Sequence, residues 1–573
     1  MAFSAIALAL TPNSRGTTRT YYVDCGSDLN AGVGTLQAPL STVAEVNALP
    51  LHPGDTLLFK RNSVCHGELQ PNGSGTEAAP IRLAAYGEGE LPRVVAASQD
   101  AAALRLSNQQ FWEIQSLDLS GGTTYGLLVE ASGSTMHHLY FRNLRVHDVR
   151  GPLRHKESGL VVIHATGDHG AFDDVDLDGI QSYDTTLWSG IFLADASHVQ
   201  IRNSAVHDVQ GDGIVVFRSH DAVISGSLAW HTGMQHQQSI GTPNAIWTWR
   251  CTDCKVEDNE AFLSDSPGID GGAFDIDFGN TRNTVQRNFG HDTAGYCVSV
   301  FGAFGPTTES LVAGNLCLNN GMSPRLAQRQ GAILLMTWQG GSLDGVDIRD
   351  NWIDWRPAGD TPAIQSGTNL QAARVLLHHN NVWSTGINFV DPELKYKGDG
   401  NQYSVESSVN PTEGRRRMAL LPESDSTLRL ETQPDHHTGA VFGDVPTPGA
   451  WRVVATLPSA SPGVDEIDRA TLIQLQSAAL QFGHTGLAVT LICGPKITEL
   501  AEDWLLPSAG VLIESETKST DNKFSVKLIA PGGTVVHEWT TYPGPVDLGL
   551  ALRQHVGEPV YSFLPLEDVR ATD

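Results

Sequence analysis

The chain has 573 residues, of which 58 are glycine and 18% are charged, and its acidic side chains outnumber its basic ones by 64 to 37. The resulting formal charge of −27 would repel phosphate backbones, so we expect no nucleic acid partner. It also mildly disfavours a strongly polyanionic substrate. Many glycines with few charges are typical of a turn-rich β protein. The chain is too long for one ordinary core, which predicts several domains or a solenoid.

The first segment, residues 1–19, contains a short apolar run from Phe3 to Leu10 that no Lys or Arg precedes. This run is too short to span a bilayer, and we interpret it as a trimmed or atypical leader peptide. No other stretch is long and apolar enough to be a membrane helix, so we expect no membrane partner. A secreted or periplasmic location is therefore predicted.

The seven cysteines are too few for a dense disulfide framework. Cys25 and Cys65 lie in the same N-terminal region and could pair in an exported protein; two free thiols are the alternative. Cys251 and Cys254 form a lone Cys-x-x-Cys, whereas a structural zinc site needs four ligands. We therefore predict no metal site.

From Thr20 the sequence predicts a strand, a turn rich in Gly, Asn and Asp, a short amphipathic helix from Leu40 to Leu49, and a further strand after Pro53-Gly54-Asp55. This opening resembles the N-terminal cap of right-handed parallel β-helix proteins of the pectin-lyase-like class. The resemblance implies that the short helix shields the open end of the solenoid.

An internal repeat follows the cap. Segments between Ser189 and Trp355 align on one another, each with a strand, a turn, a second strand and a polar turn. A period of roughly 20–30 residues without helices is what the coils of a parallel β-helix require. Weaker copies extend back to about Ile81 and forward to about Val405. We therefore predict an all-β right-handed parallel β-helix over residues 20–408.

Polar residues recur at equivalent positions of the repeat, and we predict that they form stacked ladders of hydrogen-bonding side chains. A metal cluster of the histidines is the alternative. The recurring residues are His147, His207, His231 and His291, and Asn203, Asn259, Asn288 and Asn315.

The composition changes after Ser408. Residues 409–445 are polar and turn-rich, as expected of a linker, and residues 446–573 predict strands alternating with helices, the last helix over 546–557. This order of elements resembles a smaller α/β domain of the thioredoxin-like class. No Cys-x-x-Cys follows its first strand, and Cys493 alone cannot form a dithiol couple. We expect a structural or interaction role for this domain.

The candidate catalytic centre lies in the stretch from Gly271 to Phe278. Apolar and acidic residues alternate there, which predicts a strand that exposes Asp275 and Asp277 side by side in water. Their Cα atoms would be about 6.6 Å apart at roughly 3.3 Å per residue, a spacing that slightly favours inverting over retaining glycoside hydrolysis. Asp270, in the preceding turn, is a third candidate, as general base or as a ligand.

Aligning the first strands of neighbouring coils predicts two outward columns that contain the acidic pair. In these columns Trp247 and Trp249, with Phe217, would stack on sugar rings beside the acids. Burial of this face by a loop or by the C-terminal domain is the alternative. The predicted columns are Val215, Trp247, Asp275, Val298 and Leu334, and Phe217, Trp249, Asp277, Val300 and Met336.

Three further residues are candidates for binding substrate. Arg218 and Arg250 end neighbouring coils at matching positions and could hold sugar hydroxyls or a uronate. His291, in the turn after the acidic pair, lies either near the pair or only within the histidine ladder.

Many proteins of the resembled class act on polysaccharides, so the resemblance implies a carbohydrate-active enzyme without fixing the reaction. The motifs of polygalacturonases and alginate epimerases are absent, although Asp173-Asp174 is a paired Asp. The first hypothesis is a glycoside hydrolase without a cofactor, acting through the Asp pair on a polysaccharide or oligosaccharide. The second is a polysaccharide lyase in which Asp270, Asp275 and Asp277 hold Ca²⁺. The third is a non-catalytic glycan-binding surface protein.

Overall fold

The computed structural model describes residues 18–405 apart from 28–31, 155, 157, 236–239, 319, 322, 328–329, 356–360 and 385–387. Beyond Val405 it describes only separate strands. The helices up to Val405 are α1 (Val43–Asn47) and α2 (Pro324–Ala327). In chain order the strands of this part are β1 (Thr20–Val23), β2 (Thr56–Lys60), β3 (Val64–His66), β4 (Ile81–Tyr86), β5 (Arg93–Ala96), β6 (Leu104–Ser107), β7 (Trp112–Gly121), β8 (Tyr125–Ala131), β9 (Thr135–Val149), β10 (Gly159–Ala165), β11 (Ala171–Asp178), β12 (Gln181–Thr185), β13 (Ser189–Ala194), β14 (Ala196–Arg202), β15 (Ala205–His207), β16 (Ile214–Phe217), β17 (His220–Ser225), β18 (Leu228–Trp230), β19 (Ile246–Trp249), β20 (Lys255–Glu257), β21 (Glu260–Phe262), β22 (Phe274–Ile276), β23 (Thr284–Gln286), β24 (Phe289–His291), β25 (Val298–Ala303), β26 (Pro306–Ala313), β27 (Leu316–Leu318), β28 (Ile333–Trp338), β29 (Ser342–Arg349), β30 (Trp352–Trp355), β31 (Ile364–Ser366), β32 (Ala372–His378), β33 (Asn381–Ser384), β34 (Lys397–Asp399) and β35 (Gln402–Val405).

These strands form a parallel solenoid. A ten-stranded sheet runs β31-β28-β25-β22-β19-β16-β13-β10-β8-β6, and the other strands belong to a second, 25-stranded sheet. Through the middle of the chain each strand pairs in parallel with the strand three positions later, as β16 does with β19 and β19 with β22. One coil therefore contributes one strand to the first sheet and two to the second. The predicted all-β parallel β-helix is confirmed.

The inward faces of the strands form one continuous apolar core. Phe274 and Ile276 of β22 pair with Val298 and Val300 of β25, and all four are buried in this core. The prediction that Val298 and Val300 point outward is therefore wrong. A strand shifted by one residue exchanges its two faces, and the outward residue beside Asp275 is Ser299.

The short helix α1 lies within the predicted segment Leu40 to Leu49 but has only five residues. Thr42 and Glu45 form a reciprocal capping box at its start, which satisfies backbone N–H groups that the helix leaves unpaired. Val43 and Val46 pack into the core. The structure does not show this helix shielding the end of the solenoid.

A ladder of buried asparagines connects successive coils. The side-chain oxygen of Asn288 accepts hydrogen bonds from the backbone and side-chain nitrogens of Asn259 at 3.0 and 3.1 Å. Asn315 accepts equivalent bonds from Asn288, and Asn351, Asn380 and Asn401 continue the pattern. The predicted ladder is confirmed for its three later members. Asn203 lies outside it and bonds to Asp178 instead.

The recurring histidines stack with aromatic rings of neighbouring coils. His207 lies between Tyr183 and Trp230, with ring centroids 5.0 and 4.1 Å away. His231 is not in this column, because Trp230 occupies its place and His231 instead bonds to Asp208. Among the described residues no group of three or more His, Cys, Asp or Glu side chains could hold a metal ion. The full column is His147, Tyr183, His207, Trp230, Phe262 and His291.

Three disulfides link the chain. Cys25 and Cys65, which the sequence left either paired or free, form one of them. Cys251 and Cys254 also bond to each other, so this Cys-x-x-Cys is a disulfide. Cys297–Cys317 is the third bond.

Beyond Val405, strands are described without their side chains, and the predicted domain limits near 408 and 445 lie outside the described residues. The predicted thioredoxin-like domain is not shown, and a strand occupies most of the segment 546–557, where a helix was predicted. No helix in the described part of the chain is long and apolar enough to cross a membrane. The strands are β36 (Arg416–Leu420), β37 (Leu428–Thr432), β38 (Trp451–Leu457), β39 (Ile473–Gln474), β40 (Gly486–Cys493), β41 (Lys496–Glu499), β42 (Val511–Thr517), β43 (Phe524–Ile529), β44 (Val535–Thr541), β45 (Leu548–Val556) and β46 (Glu558–Tyr561).

Replacing Asn288 by Ala should destabilise the solenoid, because the backbone N–H of Asn259 and the carbonyl of Val256 both lose their partner. Each buried group left unpaired costs about 1–3 kcal/mol. Asn401→Ala is the matched control, since this last residue of the ladder is partly exposed and water can replace its bonds. Urea-induced unfolding measures both variants. Equal losses of stability would show that burial does not determine the contribution of the ladder.

Candidate active site

Asp275 is held on the outward face of β22, between β19 and β25. Its pairing partners are Trp247 on one side and Ser299 on the other. Its Oδ1 accepts a hydrogen bond from Ser299 Oγ at 2.6 Å, and its Oδ2 accepts one from Asn244 Nδ2 at 3.2 Å. Asp275 is only 1% exposed. The prediction that it stands in water is therefore wrong, because neighbouring side chains cover this part of the outward face.

Asp270 lies in the turn before β22 and is also buried. Its φ of 77° is in the left-handed region, where residues other than glycine are uncommon. Its Oδ1 lies 3.1 Å from the hydroxyl of Tyr296, and its carbonyl accepts a bond from Gln330 Nε2. Burial raises the pKa of Asp270 to about 6, although hydrogen bonds from Thr242 and Tyr296 oppose the shift. This carboxyl is thus fixed in place and changes charge close to neutral pH.

Asp277 is the partly exposed member of the three acids. Its backbone N–H donates to the carbonyl of Thr248 at 3.0 Å, which continues the pairing of β22 with β19. Burial and the negative charge of Asp270 raise the pKa of Asp277 to about 8, against an opposing bond from the Phe278 backbone. Burial, followed by the charges of Asp277 and Asp270, raises the pKa of Asp275 well above its usual range. The negative charge of Asp270 therefore favours the protonated forms of both Asp275 and Asp277.

A second polar column lies two residues before the start of each outward strand. Asn244 bonds through its backbone N–H to Asp212 Oδ1 at 3.2 Å, and its Oδ1 accepts from the Tyr296 hydroxyl at 2.9 Å. The ring of Tyr296 crosses Gly272 to reach Asn244, and a Cβ on Gly272 would lie 2.1 Å from that ring. Sequence analysis missed these residues. The same alignment of coils, read two positions earlier, would have placed Asp212, Asn244, Gly272 and Tyr296 together.

Asp212 and Lys156 form an ion pair in which the carboxylate is fully buried and the lysine is partly exposed. Asp212 is fully buried and accepts bonds from the indole nitrogens of Trp188 and Trp247 at 2.5 and 3.1 Å. Lys156 Nζ lies 3.4 Å from Asp212 Oδ2 and 4.2 Å from the centre of the Trp247 ring. The positive charge of Lys156 acts to lower the pKa of Asp270, of Asp275 and of Asp277. No periodic signal in the sequence indicated this lysine.

The prediction that Trp247 and Phe217 are exposed stacking surfaces is wrong, because these side chains are only 2% and 5% exposed. They belong to an apolar cluster on the outward face of the ten-stranded sheet. Trp249 is partly exposed and stacks on Phe217, with ring centroids 4.0 Å apart. The alternative expectation, that this face is covered, therefore holds for Trp247 and Phe217 but not for Trp249.

The predicted binding residues separate into two groups. Arg250 is exposed beside Trp249, and Arg218 at the equivalent turn makes a bidentate pair with Asp195 at 2.6 and 2.7 Å. His291 lies in the second sheet and bonds to Glu260 and Asp292. Burial acts against the protonated form of His291, but these two carboxylates raise its pKa to about 9. The structure brings the arginines to the edge of the acidic site and does not bring His291 there.

A groove of about 820 Å³ lies elsewhere on the solenoid. It crosses the second sheet over Leu311, Asp347, Leu376 and Lys397, and none of the predicted site residues lines it. The acidic site is therefore separate from this groove.

Residues 102–353 match the family model described as a right handed beta helix region. This match agrees with the right-handed parallel β-helix that the repeat predicts.

One curated relative is a lacto-N-biosidase of Bifidobacterium longum subsp. longum, 26% identical over 269 residues. The match covers 36% of this chain and 16% of the relative's length. The crystal structure of a lacto-N-biosidase of family GH136 from Eubacterium ramulus is 19% identical with a TM-score of 0.46, and the match covers 68% of each chain. The crystal structure of a pectate lyase is 13% identical with a TM-score of 0.35, and the match covers 76% of this chain and 94% of the lyase chain. These structural likenesses concern the fold alone.

The raised pKa of Asp277 predicts a pH-dependent effect of Asp277→Asn on stability. In the folded state Asp277 keeps its proton up to about pH 8, whereas in the unfolded chain an Asp loses it near pH 4. Folding therefore takes up a proton between these values, and this contribution to stability is lost as pH rises.

We expect Asp277→Asn to stabilise the protein more at pH 8 than at pH 5, measured as the change in the midpoint of thermal unfolding. Asp344→Asn is the control, since the bond from Arg374 lowers the pKa of Asp344. A stabilisation by Asp277→Asn that does not grow with pH would contradict the raised pKa.

Proposed function

We propose that the protein is a glycoside hydrolase in which Asp277 and Asp270 are the reacting carboxyls. The observation that carries this proposal is that the buried acids Asp270 and Asp275 accompany Asp277, which is partly exposed, and that the pKa values of all three are raised. With pKa values of about 8 and about 6, Asp277 is mostly protonated and Asp270 mostly ionised at neutral pH. One carboxyl can then donate a proton to the leaving oxygen while the other acts as base or nucleophile.

Asp275 has a positioning role in this proposal. Its carboxyl is closed off from solvent, and both of its oxygens accept bonds from Ser299 and Asn244. The negative charge of Asp277 in turn helps to keep the proton on Asp275. The reacting pair is thus Asp277 with Asp270, and Asp275 supports it.

The proposed substrate is an oligosaccharide or polysaccharide. Similarity to a lacto-N-biosidase, which is a glycoside hydrolase, supports hydrolysis and makes glycans that end in lacto-N-biose the first substrates to test. Three disulfides support a secreted or periplasmic location, where disulfides persist.

The calcium-dependent lyase remains the second candidate, because Lys156 lies close to the acids and would supply the base that a lyase requires. Two observations favour the hydrolase. Lys156 is engaged with Asp212, and Asp275 already accepts hydrogen bonds at both oxygens. A lyase would release an unsaturated product that absorbs in the ultraviolet, and a chelator would abolish its formation.

Asp277→Asn and Asp270→Asn should each lower turnover by a factor of about 10²–10⁴, as expected when a positioned acid or base is lost. Asp275→Asn should lower turnover less, because Asp275 is closed off from solvent and acts through its hydrogen bonds to Ser299 and Asn244. The assay is chromatographic detection of sugars released from aryl lacto-N-bioside and from a panel of neutral and acidic glycans.

Asp344→Asn is the control, because it makes the same chemical change at an exposed carboxylate on β29 that pairs with Arg374. Full activity in both Asp277→Asn and Asp270→Asn would rule out these roles. If the wild type cleaves no glycan of the panel, the non-catalytic glycan-binding hypothesis replaces the hydrolase.

A further inference from the structure

Four aromatic side chains meet at the edge of the acidic site. The ring of Phe278 contacts Trp249, Phe304 and Trp338 edge to face, with centroid distances of 5.4, 5.5 and 5.8 Å. They come from four successive coils, at the ends of β19, β22, β25 and β28. Trp249, Phe278 and Trp338 are partly exposed and Phe304 is 64% exposed. We call this group the aromatic platform.

Phe304 is difficult to explain as a residue that stabilises the fold. Its φ of 55° lies in the left-handed region, which a bulky side chain rarely adopts. The equivalent turn residue after β28 is Gln339, also left-handed at φ 48° but polar. The left-handed turn is thus shared by neighbouring coils, as also at Arg218 and Arg250, and the exposed apolar ring distinguishes Phe304. Exposed apolar groups of this kind are typical of sites that bind a partner.

The platform is continuous with the proposed acid. Phe278 follows Asp277 directly, and its backbone N–H bonds to the Asp277 carboxyl. Arg250 extends over the same surface, with its guanidinium 5.7 Å from the Phe278 ring and 5.9 Å from the Trp249 ring. A saccharide whose glycosidic oxygen reaches Asp277 would place its neighbouring unit over these rings.

We propose that Trp249, Phe278, Phe304 and Trp338 form a binding subsite for a neutral sugar unit adjacent to the cleaved bond. Flat apolar rings match the C–H faces of a pyranose, and Arg250 supplies donors for its hydroxyls. The formal charge of −27 on the whole chain disfavours an anionic sugar. The position of the cleaved bond rests on the proposed function, whereas binding of sugar to the platform does not.

The first test measures binding independently of hydrolysis. Phe304→Ala and the wild type are compared by affinity electrophoresis in soluble neutral polysaccharides (xylan, galactan, glucomannan) and by the tryptophan fluorescence change with lacto-N-tetraose and xylo-oligosaccharides. We expect affinity to fall about tenfold or more in Phe304→Ala. The midpoint of thermal unfolding should change little, because the ring of Phe304 is 64% exposed.

Tyr396→Ala is the matched control, since Tyr396 is a 42% exposed aromatic residue on another part of the solenoid. It should bind as the wild type does. Phe304→Asn is a second variant of the platform, since Asn tolerates a left-handed φ, and it should lose affinity equally. Unchanged affinity in both Phe304 variants, or no binding of any probe by the wild type, would overturn the proposal.

The second test separates this subsite from the proposed chemistry. If the protein is a hydrolase, Phe304→Ala should lower kcat/KM on an oligosaccharide and leave it unchanged on an aryl glycoside whose leaving group is too small to cover the platform. If no glycan is cleaved, the binding measurement by itself still tests whether the platform binds sugar. If gel filtration shows a wild-type dimer that Phe304→Ala converts to a monomer, the platform is an interface between two copies, which would overturn the proposal.

Discussion

Parallel pairing in register is the constraint on which the rest of this molecule depends. Strands of successive coils lie about 4.8 Å apart, so each side chain meets its equivalents one coil before and one coil after. The buried asparagines use this repeat to satisfy backbone groups, since each Asn oxygen accepts the backbone N–H of the Asn one coil earlier. The column from His147 to His291 uses it to stack rings. Outward columns follow the same rule, and Asp275 of the acidic site belongs to one of them, between Trp247 and Ser299.

The site differs from the other columns in the kind of group that it buries. Burial of Asp270, Asp275 and Asp277 opposes their ionisation, and hydrogen bonds from Tyr296, Asn244 and Ser299 hold the carboxyls in place without fully compensating for lost solvent. The regular ladders of the solenoid supply the stability that tolerates this arrangement. Lys156, brought in by the segment before β10, supplies positive charge close to the acids.

Periodicity carried most of what could be predicted from the sequence. The spacing of the repeat predicted the parallel coils, the outward direction of Asp275 beside Trp247, and three members of the asparagine ladder. Prediction failed where periodicity is ambiguous or absent. The run from Val298 to Phe301 has apolar residues on both faces of the strand, so a one-residue error put Val298 in the place of Ser299 as the outward residue beside Asp275. Lys156, whose charge acts on all three acids, comes from a loop and follows no repeat. Hydrophobic patterns near 546–557 fitted a helix, and the described strand β45 shows that such short runs suit both structures.

The hydrogen bond from Tyr296 to Asn244 has a consequence for how this architecture can change over evolutionary time. Solenoids lengthen and shorten by gaining or losing whole repeats, because each repeat contacts only its immediate neighbours. Here the tyrosine passes over an intervening glycine and bonds to a residue two coils away. A duplicated unit inserted anywhere between β19 and β25 would separate the two, whereas one added near either end of the solenoid would leave them together. The stretch from Asn244 to Tyr296 is therefore the part of the solenoid whose number of turns is fixed.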